Sequence, residues 1–235
     1  MKSSVFIGKC LFVIMILFFQ NHGISSQEVK VHFEDKYPIK ISDDTGKKNA
    51  LILYITGDGG WNKFSENLMH EFEKQGFGVI SLNSYKYFTE EKSPESFARD
   101  VDEISGHYLQ EWNKSALIIV GYSFGADVAS FLPGNLKSQL KEKVKKVALL
   151  SPSASTDFII KISDLLGWND NVNGKYKVLP EIESSQLPVV CIFGESEKLL
   201  LKNYLNPGNN LSVHEIPGGH RFNDNFNGLV QIITS

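Results

Sequence analysis

A serine with glycines two residues away on either side, Gly121-Tyr122-Ser123-Phe124-Gly125, is the strongest arrangement in this chain that could do chemistry. A serine hydroxyl is a weak nucleophile until a base takes its proton. The spacing G-x-S-x-G answers a geometric demand. It lets the serine sit on a very tight strand-to-helix turn, with neighbouring backbone packed close against the two glycines. The turn also sets the serine at the start of a helix, where aligned peptide dipoles favour a developing oxyanion. An apolar run rich in β-branched residues, Ala116-Leu117-Ile118-Ile119-Val120, leads straight into the motif. The alternative is a glycine-rich turn with an idle serine.

A base and an acid should follow the serine in chain order. His220 lies in Pro217-Gly218-Gly219-His220-Arg221-Phe222, just after the last segment that reads as a strand, Leu211 to Ile216. The acid should follow Val189 to Phe193, where Gly194-Glu195-Ser196-Glu197 offers two carboxylates. Glu197 is the first choice and Glu195 the reserve. The acid would fix the histidine tautomer and steady the imidazolium. An oxyanion hole needs two backbone N–H groups. Phe124, directly after the serine, supplies one. The loop Gly57-Asp58-Gly59-Gly60-Trp61 supplies the other, through Asp58 or Gly59. His32, His70, His107 and His214 show no metal-ligand spacing, the G-x-G-x-x-G and G-x-x-x-x-G-K-[ST] patterns are absent, and a serine mechanism needs neither a metal nor another cofactor, so none is expected.

The elements that must position these groups alternate. Ala50 to Ile55, Gly78 to Leu82, Ala116 to Val120, Val147 to Leu150, Val189 to Phe193 and Leu211 to Ile216 read as strands. Residues 64–75, 94–112 and 224–234 read as helices, with a short helix after the serine stopping near Pro133. Residues 28–41 alternate apolar and polar and read as an edge strand or hairpin, with Pro38 suited to an edge. Strands alternating with helices predict a mostly parallel sheet with helices on both faces, an α/β-hydrolase fold. Residues 153–180 read as irregular, with a helical piece near 158–166. They could form a lid or a helix packed on the sheet.

With 235 residues, 42% hydrophobic and 22% charged, the chain suits one globular domain. A formal charge of −3 argues against nucleic acid as a partner. Lys2 and Lys9 precede the apolar run Cys10 to Phe19, which is too short to span a bilayer comfortably. Residues 1–26 therefore read as a signal peptide cleaved near Ser26, leaving residues 27–235 as a periplasmic or secreted domain; an uncleaved anchor is the alternative. The mature chain would carry 22 basic and 27 acidic residues. Cys10 leaves with the leader, so Cys191 has no partner for a disulfide and reads as a buried small hydrophobe.

Three stretches together resemble the bacterial virulence protein VirJ/AcvB group of α/β hydrolases: Thr56-Gly57-Asp58-Gly59-Gly60-Trp61, Gly121 to Val128, and Pro217 to Phe222. Weaker matches are Ser84 to Phe88, Ser93-Pro94-Glu95 and Cys191 to Gly194, and the resemblance spans about residues 50–233. It departs at Arg221, where the group more often has a second histidine, and in having one domain where AcvB-like members carry two. The resemblance implies a periplasmic enzyme that hydrolyses the aminoacyl ester of lysyl-phosphatidylglycerol, in contact with the membrane surface. It also implies a link to type IV secretion and virulence.

Such an ester carries an α-ammonium, and a lysyl ester carries a second cation. Asp58 and Asp127 are the carboxylates placed to meet them, Asp127 being four residues past Ser123. Each has an ordinary structural alternative, a turn for Asp58 and a support beneath the serine for Asp127. Tyr85, Tyr87 and Phe88 could line the lipid side or belong to the core. The rival readings are a generic lipase, carboxylesterase or thioesterase, and a catalytically idle envelope or secretion-associated binding protein.

Overall fold

Uninterrupted apolar runs make strands that are buried on both faces. The computed structural model describes residues 33–42, 46–160, 173–198 and 201–235, all within one compact unit, His32–Ser235. The expected leader and most of the expected 158–166 helix lie outside the described residues. The strands are β1 (Ile39–Ile41), β2 (Ala50–Ile55), β3 (Gly78–Leu82), β4 (Ala116–Tyr122), β5 (Val144–Leu150), β6 (Ser155–Thr156), β7 (Tyr176–Lys177), β8 (Val189–Gly194) and β9 (Leu211–Ile216). The helices are α1 (Phe33–Lys36), α2 (Lys63–Lys74), α3 (Ser84–Tyr87), α4 (Pro94–Glu111), α5 (Phe124–Ala129), α6 (Leu132–Asn135), α7 (Ser138–Lys141), α8 (Val178–Glu183) and α9 (Phe226–Thr234).

Seven strands form one sheet in the order β1-β3-β2-β4-β5-β8-β9. All neighbours are parallel except the edge pair β1 and β3. Alternate side chains of each strand enter different layers. Leu51, Leu53 and Ile55 of β2 join the layer holding α4 to α8, through residues such as Phe97, Val101, Ala126 and Ile182. Ile52 and Tyr54 join the layer formed by α2 and α9, with Phe64, Leu68, Phe72, Leu229 and Ile233. Helices therefore cover both faces, as the alternating pattern predicts.

Local chemistry sets the helix limits. Asn62 accepts the Ser65 N–H at the start of α2. Gly76, at φ +87°, follows its end. Ser93 and Ser96 cap α4 reciprocally, with Pro94 in its first turn. Cys191 is fully buried in β8, and burial pushes its thiol up to about 12.

The expected strand or hairpin over 28–41 is corrected in its described part. Phe33–Lys36 forms one helical turn, and only Ile39–Ile41 is strand. Phe33 and Tyr37 stand four apart and stack with ring centroids 6.0 Å apart. The Tyr37 hydroxyl donates to Glu103 of α4 at 2.8 Å. An i,i+4 aromatic pair sits inside an apparently alternating run, and packing on α4 selects the helical spacing. Within 153–180, β6 and β7 pair as a small antiparallel ribbon. Phe158 has a left-handed backbone (φ +54°) and is fully buried against Phe88, Phe97, Phe131 and Tyr176. At Phe158 the segment is core, not a lipid-facing cap.

Candidate active site

All the singled-out polar groups fall at the carboxyl ends of parallel strands, where ligands bind in open α/β sheets. Ser123 follows β4 with φ +53° and ψ −123°, a backbone state that L-residues rarely adopt. The turn closes tightly: Ser123 N–H donates to Leu150 O at 2.8 Å, and Ser123 O accepts from Ala126 N at 2.8 Å. A Cβ at Gly121 would collide with the Gly125 carbonyl and Ala126. One at Gly125 would collide with the carbonyls of Ile55 and Thr56. Both glycines are therefore required by space, which is the demand read from the motif.

Glu197 sits in the turn after β8 and His220 in the loop after β9. Glu197 Oε1 lies 2.6 Å from His220 Nδ1. Its other oxygen accepts the Gly194 N–H at 2.6 Å and the Ser151 hydroxyl at 2.7 Å. Burial alone would raise the Glu197 carboxyl. The bonds from His220, Gly194 and Ser151 outweigh it and hold the pKa below the usual 4.5. The two loops meet because β8 ends in a glycine: a Cβ at Gly194 would strike the Gly218 and Gly219 carbonyls. Ser196 ties them further, its N–H and hydroxyl donating to Gly218 O at 3.0 and 2.9 Å.

His220 is also held from the serine side. The Tyr122 hydroxyl donates to His220 O at 3.1 Å, and the two rings lie 5.2 Å apart. Burial pushes the Tyr122 phenol upward, so it remains a donor at neutral pH. The loop beyond His220 is pinned by Phe222, fully buried in the α2/α9 layer. Phe222, Asn223 and Asp224 all have positive φ, at +53°, +50° and +55°. A concavity of about 430 Å³ is lined by Gly219, His220, Arg221, Asn223 and Asp224. Arg221 points to Asp224 at 3.0 Å.

The expected oxyanion loop lies against the serine. A Cβ at Gly57 would fall 3.4 Å from that of Ser123. Gly60 N–H closes a turn on Gly57 O at 3.0 Å, carrying Asp58 and Gly59 at its tip. The Ser84 hydroxyl and N–H bond Thr56 O and Oγ1 at 2.5 and 3.0 Å, fixing the base of the loop from α3. The N–H of Phe124 follows the serine at the start of α5.

Three expectations are corrected. Asp127 is 5% exposed, and its two oxygens accept the Ser153 N–H and hydroxyl, each at 2.6 Å. It fastens the loop after β5 to α5, the supporting role that was the alternative for this residue. Tyr87 is buried and donates its hydroxyl to Asp100. Phe88 is fully buried and packs edge-on against Phe124, centroids 5.0 Å apart. Both aromatics are core, because the strand β3 runs into α3 and turns them inward; Tyr85 alone of this group is exposed. Glu195 is exposed, and it is Glu197 that meets the histidine.

Ser151 was not visible in the sequence. No pattern marks it; only its place at the end of β5, at φ +51°, brings it to Glu197. Ser151→Ala removes a hydrogen bond to a buried anion, which should cost about 1.5–3 kcal/mol at neutral pH. It should also raise the Glu197 pKa, so that acid unfolding begins at a higher pH. Urea midpoints measured from neutral to acid pH check both effects.

The sheet, the serine turn and the Glu197–His220 pair define an α/β hydrolase. The fold also matches solved structures. Est1E from Butyrivibrio proteoclasticus, solved with ferulic acid, superposes with a TM-score of 0.59 at 11% identity, over 83% of this chain and 91% of that one. A hydrolase from Oleispira antarctica gives 0.59 at 16%, over 85% and 95%. The thioesterase domain from the curacin biosynthetic pathway gives 0.54 at 15%, over 84% and 99%. At these identities the likeness is one of fold. The chain belongs to the bacterial virulence protein (VirJ) family, whose sequence profile matches residues 49–235. A search of curated proteins finds no match to the chain.

Proposed function

We propose that this protein is a serine esterase that cleaves the aminoacyl ester of an aminoacyl-phosphatidylglycerol such as lysyl-phosphatidylglycerol. The carrying observation is the 2.6 Å contact between Glu197 and His220 Nδ1, in a fold that also holds Ser123 at φ +53° on the strand-to-helix turn after β4. With Nδ1 given to the carboxylate, Nε2 is the nitrogen left to take the Ser123 proton. Ser123 Oγ attacks the ester carbonyl, and the N–H groups of Phe124 and of Asp58 or Gly59 hold the oxyanion. His220 passes its proton to the leaving alkoxide of the lipid. Water, deprotonated by His220, then releases the amino acid. The chain acts on the outer side of the inner membrane or beyond it, after cleavage near Ser26.

Asp58, carried by the loop whose Gly57 packs against Ser123, is the carboxylate assigned to the ammonium, while both oxygens of Asp127 accept from Ser153. Asp58→Asn should raise KM for a lysyl ester about 2- to 5-fold, as expected for loss of a partly exposed ion pair, and leave a neutral acyl ester unchanged. An equal effect on both esters would assign Asp58 to the turn alone.

The deciding experiment is release of free lysine from vesicles containing lysyl-phosphatidylglycerol, with Ser123→Ala in parallel. Release by the wild type alone supports both mechanism and substrate. Cleavage of simple acyl esters or thioesters only would leave a generic esterase or thioesterase, the reading favoured by the names of the fold neighbours. No cleavage of any ester would make it a binding protein of the envelope.

A further inference from the structure

We propose that the surface around Trp61 docks the protein onto an anionic phospholipid bilayer. Trp61 directly follows the Gly57–Gly60 loop and is partly exposed. Its indole N–H donates to Ser81 Oγ at 3.1 Å, which fixes the ring at the carboxyl end of β3. Two ammonium groups converge on that ring: Lys40 Nζ from β1 at 5.2 Å and Lys86 Nζ from α3 at 5.5 Å. Lys63, at the start of α2, is exposed two residues further along. Tyr85, beside Lys86, is 47% exposed and one of three large hydrophobics so exposed among the described residues.

The chain as a whole is acidic, at −3, so this gathering of cations does not follow from a general excess. Glu66 reaches Lys40 at 3.5 Å and offsets part of the charge. Two like charges sharing one indole repel each other and favour an anion between or above them. An indole with a fixed N–H, an exposed tyrosine and lysines on flexible apolar stems are the groups that settle at the headgroup level of a bilayer. A nucleic-acid track would need more phosphate contacts than an acidic chain presents. The patch lies at the same end of the sheet as Ser123, so docking would turn the site toward the lipid. The proposal does not depend on hydrolysis, because binding can be read without turnover.

The test uses the chain from Gln27 carrying Ser123→Ala, sedimented with vesicles of equimolar phosphatidylglycerol and phosphatidylcholine, or of phosphatidylcholine alone. The expected result is partition onto the anionic vesicles that weakens with salt. Lys40→Gln with Lys86→Gln should lower that partition roughly 25-fold, about fivefold for each lysine. Lys143→Gln with Lys145→Gln, at the amino end of β5, should leave it unchanged, and both pairs should keep the wild-type Tm. Equal binding to both vesicles would overturn the proposal. So would an unchanged partition of the patch variant, an equal loss in the control pair, or tighter binding to single-stranded DNA than to the anionic vesicles.

Discussion

Ser123→Ala should lower kcat for ester cleavage by roughly 10⁴- to 10⁶-fold, and His220→Ala by a similar factor. The double variant should be no worse than either single one, because nucleophile and base act as a unit. Residual activity would come from the oxyanion donors and from substrate binding. The fold should survive, since Ser123 makes its structural bonds through backbone N–H and C=O. Ser123→Gly sharpens the experiment. The native backbone at this position, φ +53° and ψ −123°, is strained for any residue with a Cβ. Glycine relieves that strain, and even after its larger unfolded-state entropy the variant should be about 1 kcal/mol more stable than wild type. A dead enzyme with a higher Tm is the outcome expected when strain is kept for catalysis. Activity within about tenfold of wild type in either variant would place the nucleophile elsewhere.

The sequence made the site legible where function constrains backbone as well as side chain. Gly121, Gly125 and Gly194 each sit where a Cβ would meet a carbonyl, and these are the glycines that frame the serine and precede the acid. Their spacing therefore carried the geometry. The sheet was legible for a related reason: strands buried on both faces have few polar interruptions, and β2, β4 and β8 carry no Ser, Thr, amide or charged residue, while β3 carries only Ser81. Side-chain roles that depend on tertiary placement were hidden. Asp127 reads equally as a ligand for a cation or as a support, and only the position of Ser153 decides it. Tyr87 and Phe88 have the composition of an acyl wall, yet α3 turns both inward. Ser151 and Tyr122 hold Glu197 and His220 through one hydroxyl each, and a lone hydroxyl leaves no pattern in a sequence. The helical turn at Phe33–Lys36 is hidden within residues 28–41, because two aromatic residues four apart, Phe33 and Tyr37, fit an alternating strand as well as a helical turn.

Glu197→Gln should reduce kcat by about 10³- to 10⁴-fold and also change how stability depends on pH. The catalytic loss follows from the 2.6 Å contact to His220 Nδ1. An amide nitrogen there cannot accept the Nδ1 proton, and an amide oxygen accepts it without the charge that steadies an imidazolium. The stability effect follows from the other oxygen, which accepts Gly194 N–H and the Ser151 hydroxyl. Both donors are buried, and weakening two charge-assisted bonds should cost about 2–4 kcal/mol at neutral pH. The sign with pH is fixed by the depressed carboxyl. Unfolded, Glu197 titrates near 4.5; folded, it titrates lower, because the bonds from His220, Gly194 and Ser151 overcome the effect of burial. The stability it supplies is therefore complete above pH 4.5 and is lost as pH falls through the folded value. The glutamine variant has no such group, while the remaining carboxylates are common to both proteins and cancel in the difference. The gap between wild type and Glu197→Gln in urea unfolding should be largest at neutral pH and narrow only below about 4.5. A gap that stayed constant into acid would mean that Glu197 holds this site by shape and not by charge, and the kcat loss would then have to be explained by displacement of His220.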